Sequence, residues 1–410
     1  MADISSSLRW NVLGSGKLGM LGTKTAPSAF ICARCLRRSQ RRLYATNADR
    51  TPPLTPPQSG AANLTNRRLL SLHGQDAAKF LQGLVTANIR PESRTGVYTA
   101  FLTAPGKVLH DAFVYPTLGS RWHEDVNKND ELGYLVEMDG GQAEGLLKHL
   151  KRHKLRSKFK LRLLEEGELG VWQMWREDDR WTAHTKAGTE DGVIGMTDSR
   201  APGMGQRLLL TPTSSSSSRH EALEGVEEAP LSAYTVRRYL KGVAEGQTEI
   251  PREESLPMNC NIDLMGGIDF KKGCYVGQEL TIRTHHTGVV RRRILPVQLY
   301  NRSDKPPEKL QYDSASSIVA VPDHTDVRRD DERGRATGKF ITGIANIGLA
   351  MCRLEQMSDL VVSGEGTSFN DSDRFTVQAP EDNAIGVRVF VPDWIRGQIR
   401  EPKLQRRVET

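Results

Sequence analysis

The order of strand-length and helix-length apolar segments between residues 64 and 164 constrains this chain most. Arg68-Leu69-Leu70-Ser71-Leu72 reads as a strand ending at His73-Gly74. Residues 75–84 place apolar side chains at Ala77, Phe80, Leu81 and Leu84, the spacing of an amphipathic helix, with Asp76 suited to its first turn. Val97–Thr103 and Val108–Tyr115 are strands joined through Ala104-Pro105-Gly106-Lys107, which predicts a hairpin. A strand at Tyr134–Met138, a helix over about 142–152 with a basic last turn, and a strand at Lys158–Leu164 complete the series. Strand, helix, hairpin, strand, helix, strand is the order of an α+β domain, with helices packed on antiparallel sheet.

Beyond this domain the pattern changes. Gly170–Trp175 and Trp181–His184 read as strands, Ser214–Ser218 as a polar loop and Ala233–Gly242 as a helix. Arg293–Leu299, Phe340–Ala345, Gly348–Leu354, Phe375–Gln378 and Val387–Val391 are short strands separated by turns, which predicts a small C-terminal β-barrel from residue 291 to about 400. Residues 301–337, rich in Asp, Arg, Ser and Pro, are expected to be a disordered insertion that decorates the barrel. The Pro-rich stretch 45–63 is expected to be a tether, so that the packed core runs over 64–290, and 401–410 form a tail.

The net charge of +7 invites a nucleic-acid reading until its location is examined. Residues 1–44 hold eight bases and one acid, and the remainder carries 49 of each. The basic excess therefore belongs to the leader, and no nucleic-acid partner is expected. That leader is rich in Arg and Ser and nearly free of acids, the composition of a mitochondrial transit peptide, which places the chain in the mitochondrial matrix. No apolar run reaches eighteen residues, so no membrane partner is expected either. Cys32 and Cys35 fall in the leader, which leaves Cys260, Cys274 and Cys352 for the mature chain.

Cys274 stands out for its surroundings. Lys271 and Lys272 precede it, and a nearby cation favours the thiolate, the form that attacks electrophiles and binds metals. Gly273 and Gly277 bracket it and permit close approach of a ligand to the main chain. Gln278, Glu279 and Arg283 add a neutral hydrogen-bonder, an acid and a guanidinium on the same segment. On these residues alone two readings of Cys274 stand, a reactive thiol and a small buried hydrophobe. His285 and His286 are adjacent, read as strand residues facing opposite ways, and make a poor metal pair.

Lys272-Gly273-Cys274-Tyr275-Val276-Gly277-Gln278-Glu279 resembles the KGCYxGQE signature of the YgfZ-like proteins, relatives of the glycine-cleavage aminomethyltransferase that act in iron–sulfur cluster assembly. Pro257–Asp263, Arg238 with Gly242, Glu245 and Gly246, Phe80–Asn88, and Gly348-Leu349-Ala350 with Arg353 extend the similarity over about 64–168, 231–299 and 337–395. The resemblance implies an aminomethyltransferase-like folate-binding core with a C-terminal barrel. Together with the leader it points to the mitochondrial branch. That branch matures [4Fe–4S] proteins such as aconitase, lipoate synthase and radical-SAM enzymes, with A-type iron–sulfur carriers as partners.

In this family Cys274, with Lys272 beside it, would be the reactive thiol or a shared, transient cluster ligand. Tetrahydrofolate would contact Tyr275, Gly277, Gln278, Glu279, Arg283 and Asp111. A cluster needs four ligands, mostly thiolates, so three cysteines limit Cys274 to one shared ligand or transient thiol chemistry. His110 stands where the aminomethyltransferase has the first of two acids before Asp111, so glycine-cleavage activity is not expected. The ancestry is that of a transferase, and a folate-dependent one-carbon transferase is the alternative reading.

Overall fold

The structure, a computed structural model, describes residues 52–126, 132–177, 193–211, 220–330, 335–364, 366–380 and 383–399. The leader, the tail, the strand expected at Trp181–His184 and the Ser214–Ser218 run lie outside the described residues. Among the described residues two five-stranded sheets and one closed barrel account for the strands. The first sheet contains β1 (Ser59–Asn63), β7 (Gly170–Arg176), β8 (Ile194–Thr197), β9 (Gln206–Leu210) and β10 (Glu227–Glu228), in the order β10-β1-β7-β9-β8. The second contains β2 (Arg67–His73), β3 (Val97–Leu102), β4 (Val108–Pro116), β5 (Gly133–Asp139) and β6 (Lys160–Leu163), in the order β3-β4-β5-β2-β6. Every pairing in the second sheet is antiparallel, with β3 and β4 forming the hairpin that the sequence predicts.

Every residue of β4 is buried, because both faces of its sheet are covered. On one face Ala112 and Val114 meet helix α1 (Ala77–Gln82) through Leu81, and helix α2 (Ala143–Lys154) through Leu146 and Leu150. On the other face Phe113 and Tyr115 join Val171, Ile194 and Leu209 of the first sheet and Val236 of helix α3 (Leu231–Lys241). Helix α2 turns Ala143, Leu146 and Leu150 inward and ends on Lys151, Arg152, His153 and Lys154, bases that suit the negative end of the helix dipole.

The barrel is β11 (Arg292–Asn301), β12 (Asp326–Arg329), β13 (Gly338–Ile344), β14 (Ile347–Arg353), β15 (Phe375–Gln378) and β16 (Ala384–Val389), closed in the order β11-β14-β13-β12-β15-β16. The expectation for residues 301–337 is corrected here: β12 lies inside that stretch and pairs with both β13 and β15, so the segment closes the barrel. Only Val327 of β12 is buried, and one apolar residue among charges leaves no alternation to read.

The tether is corrected as well. Residues 59–63 form β1, which pairs with β7 and buries Gly60, Ala61 and Ala62. Upstream, the carbonyl of Pro57 accepts from Trp175 Nε1 at 2.9 Å and that of Pro53 from Tyr312 Oη at 2.7 Å. A polyproline stretch has no internal hydrogen bonds, and here side chains from distant parts of the chain supply the partners.

Candidate functional site

The signature segment runs from a turn at Asp269 into helix α4 (Gln278–Thr287), and the connections of the second sheet pin it. The Asp269 amide donates to the Thr86 carbonyl at 3.0 Å, and the Val276 amide donates to the Gly83 carbonyl at 3.1 Å. Lys272 Nζ donates to the carbonyls of Gln82, Val85 and Ala87 at 2.8, 2.6 and 2.7 Å. These carbonyls lie at and beyond the C-terminal end of α1, where backbone acceptors lack helical partners. Gly277 has φ +80°, and a β-carbon there would overlap the Thr103 carbonyl of the β3–β4 turn.

These contacts settle what Lys272 does. An ammonium has three donors, and all three are spent on backbone carbonyls, with the ring of Tyr275 5.0 Å away. Burial pushes the ammonium down to about 8. Lys272 therefore ties the loop to the chain at the end of α1. Tyr275 turns into the core and is 6% exposed, leaving Cys274 between a buried neighbour and the exposed Gly273.

Among the described cysteines Cys274 is exposed, while Cys260 and Cys352 are buried. Burial pushes the Cys260 thiol up to about 12 and raises that of Cys352 as well, so both stay protonated at neutral pH. Cys274 is thus the thiol available to a partner. The reading as a small buried hydrophobe belongs to the other two.

Asp111 occupies a different environment. It sits on β4, fully buried, with Oδ2 accepting from Arg67 Nη1 at 3.3 Å and Oδ1 accepting from the Gly246 amide at 3.1 Å. Burial raises its carboxyl above the usual range, and Arg67 opposes that shift. It is one member of an ionic network between the two sheets. Arg67 Nε donates to Glu137 at 2.7 Å, and Arg207 donates to both oxygens of Glu137. Glu245 Oε2 accepts from Arg200 at 2.8 Å, Arg207 at 3.1 Å and Tyr234 Oη at 2.8 Å. Burial disfavours the charge on Glu245, yet the surrounding guanidiniums, Arg207 first, hold it well below the carboxylate range.

His110 faces the opposite side of β4, toward α2, since adjacent strand residues alternate. Burial, with Arg252 and His149 adding to it, pushes His110 down to about 3, so the imidazole is neutral.

The structure places the expected site residues in different settings. Cys274, Tyr275, Gly277 and Gln278 share the pinned loop, and Gln278 Oε1 accepts from the Tyr275 amide at 3.3 Å. Glu279 and Arg283 lie on the exposed side of α4, and Asp111 lies in the buried network. Cavities of about 610 Å³, lined by Arg68, Glu166, Trp172 and His220 among others, and about 290 Å³, lined by Asn88, Arg90, Tyr134 and Asp269 among others, contain none of the expected folate residues. His285 and His286 belong to α4, a correction to the strand reading, and His285 stacks on Phe270 with centroids 3.6 Å apart. The network residues Arg67, Glu137, Arg200 and Arg207 escaped the sequence reading, although a lone Glu137 inside Leu135-Val136-Glu137-Met138 was a usable signal.

Two sheets carrying such a loop, followed by a six-stranded barrel, make up an aminomethyltransferase-like fold. The solved structure of glycine cleavage system aminomethyltransferase T from Bartonella henselae matches with a TM-score of 0.57 at 12% identity, covering 87% of this chain and 90% of that one. Residues 291–397 match the family described as CAF17, C-terminal beta-barrel domain. A protein of Pyricularia oryzae is 47% identical over 385 residues, covering 90% of this chain and 93% of the relative. One of Aspergillus fumigatus is 44% identical over 407 residues, covering 90% of each. Both relatives are named iron-sulfur cluster assembly factor IBA57 homolog, mitochondrial. This chain belongs to that family of mitochondrial iron–sulfur cluster assembly factors.

Proposed function

We propose that this protein is a mitochondrial matrix factor for maturing [4Fe–4S] proteins, and that Cys274 is the ligand it shares with a cluster-bearing partner. The carrying observation is a thiol that is exposed while both its flanks are anchored, at Lys272 and at Val276-Gly277. On binding, the Cys274 thiol releases its proton to solvent and its sulfur replaces one ligand on a cluster iron, without change of oxidation state. The remaining ligands come from the partner, for which an A-type iron–sulfur carrier has the required chemistry. Aconitase, lipoate synthase and other radical-SAM enzymes are the proposed clients.

The test is complementation. In cells lacking the protein, Cys274→Ser is expected to accumulate normally and to leave aconitase and lipoate-dependent activities unrestored. Full restoration would remove Cys274 from the mechanism. Anaerobic mixing with a cluster-loaded carrier is expected to give a complex whose visible absorption is lost with Cys274→Ser.

A folate reading has narrower support. Tyr98 Oη, Arg67 Nη2 and Glu245 Oε1 are buried without hydrogen-bond partners among the described residues, and all three belong to groups charge-coupled to Asp111. A pterin edge, which both donates and accepts, satisfies such atoms, and so does ordered water. Tetrahydrofolate is expected to raise the melting temperature of the wild type more than that of Tyr98→Phe. No rise at millimolar ligand assigns these atoms to water. The one-carbon transferase reading gains nothing from this group, because His110, in the first acid position, turns away from it.

A further inference from the structure

The end of α2 and the turn after it form a charged apex that the iron–sulfur role does not use. Between Glu144 and Glu165 the chain has no acid. Lys148, Lys151 and Arg152 are exposed and lie three and four residues apart, which puts them on one helix face. Arg156 and Lys158, also exposed, continue the charge into the turn. Among the described residues none of these five cations is placed in a salt bridge with a carboxylate. At their centre Leu155 is 89% exposed, the most exposed of the large hydrophobic residues described.

Leu155 is also held in an unfavourable backbone conformation, with φ +44°, where an L side chain is strained. Its neighbours keep the turn in place. Lys154 Nζ lies 5.0 Å from the ring of Phe159, and Phe159 packs on Phe80 with centroids 4.7 Å apart. The Lys158 amide donates to Asp76 Oδ2 at 2.7 Å, at the N-terminal end of α1. The apex is thus a fixed, convex feature with an apolar tip and a cationic collar.

We propose that this apex docks the protein on an anionic lipid bilayer, with Leu155 entering the acyl boundary and the five cations meeting headgroup phosphates. A bilayer supplies both halves of that match at once: dense negative charge at its surface and an apolar layer just beneath it. An acidic protein would need an apolar pocket set within its acidic surface, and a nucleic acid offers Leu155 nothing. The absence of a long apolar run led the sequence to predict no membrane partner, but peripheral docking requires no span. Docking would bring the Cys274 loop close to the membrane, because α1 carries the Lys158 contact at one end and the loop at the other.

Vesicle co-sedimentation of the full chain tests this, with phosphatidylcholine alone and with phosphatidylcholine containing about one-third phosphatidylglycerol. All proteins carry the same basic leader, so differences between variants report on the apex. The double variant Lys151→Glu, Arg152→Glu is expected to lower the affinity for anionic vesicles at least tenfold. Leu155→Gly is expected to lower it about fivefold while raising the melting temperature, since glycine accepts the backbone that strains leucine. Equal binding by wild type and both variants overturns the proposal. So does unchanged vesicle binding combined with lost client maturation in the charge variant, which would assign the apex to an acidic protein.

Discussion

The buried network and the signature loop both gather charged side chains, and they use them in opposite ways. In the network the charges answer one another: Arg67, Arg200 and Arg207 meet Asp111, Asp198, Glu137 and Glu245 with side chains almost wholly removed from solvent. In the loop the half-buried charge of Lys272 is spent on main-chain carbonyls, and the Cys274 thiol beside it is exposed. The network is a joint between two sheets, and its residues fix structure. On the proposed function the loop is a presentation device, whose anchored residues hold one exposed atom in place.

Replacing Glu245 by Ala should break the joint hardest. It leaves Arg200 and Arg207 short of a counter-charge in a site without solvent. Removing one partner of a buried ion pair costs about 3–5 kcal/mol, a large part of a typical domain's stability. Urea unfolding is expected to show that loss, and a change below about 1 kcal/mol would mean that water reaches the network. Gly277→Ala comes next, because it combines a positive φ with overlap on the Thr103 carbonyl. A cost of about 2 kcal/mol is expected, together with faster modification of Cys274 by thiol reagents as the loop loosens. Unchanged modification kinetics would show that the Gly277 contact does not hold the thiol.

Acid should act on the sheet that carries the joint, through histidines outside the network itself. His110 is neutral in the fold and lies at about 3, against 6.5 for an unfolded histidine, and His73 at about 4 shifts the same way through burial. Between those values the unfolded chain binds more protons than the folded one. The stabilisation from each group is therefore complete above about pH 6.5 and is lost as pH falls toward the folded value, by up to about 1.4 kcal/mol per pH unit. His110→Leu should flatten the fall in stability between pH 6.5 and 4.5. An unaltered slope would show that His110 is already protonated in the fold.

The second sheet was legible because its strands and helices carry their own periodicity, and the β3–β4 hairpin was readable from its turn. Three kinds of feature were not. β1 and β12 are strands made by their partners: Ser59–Asn63 is too small and Asp326–Arg329 too charged to show a pattern alone. Helix α4 has its polar, weakly amphipathic sequence organised by the Gly277 turn, which local propensity does not reveal. The role of Lys272 depends on where α1 ends, some 190 residues earlier in the chain. Cys274 was singled out by its motif, but its exposure follows from the anchoring of its neighbours and became visible only with the fold.

The smallest effect expected on stability is also the sharpest test of the comparison. Cys274→Ser exchanges one exposed atom on a loop whose anchors are Lys272, Val276 and Gly277, none of which contacts the network through the thiol. Surface substitutions of this kind change stability by no more than about 0.5 kcal/mol. The urea midpoint should therefore match wild type, while the visible absorption of the complex with a cluster-loaded carrier is lost. A clear drop in the midpoint would mean that the thiol is part of the loop's support, and the division between joint and presentation device would then fail at its most exposed residue.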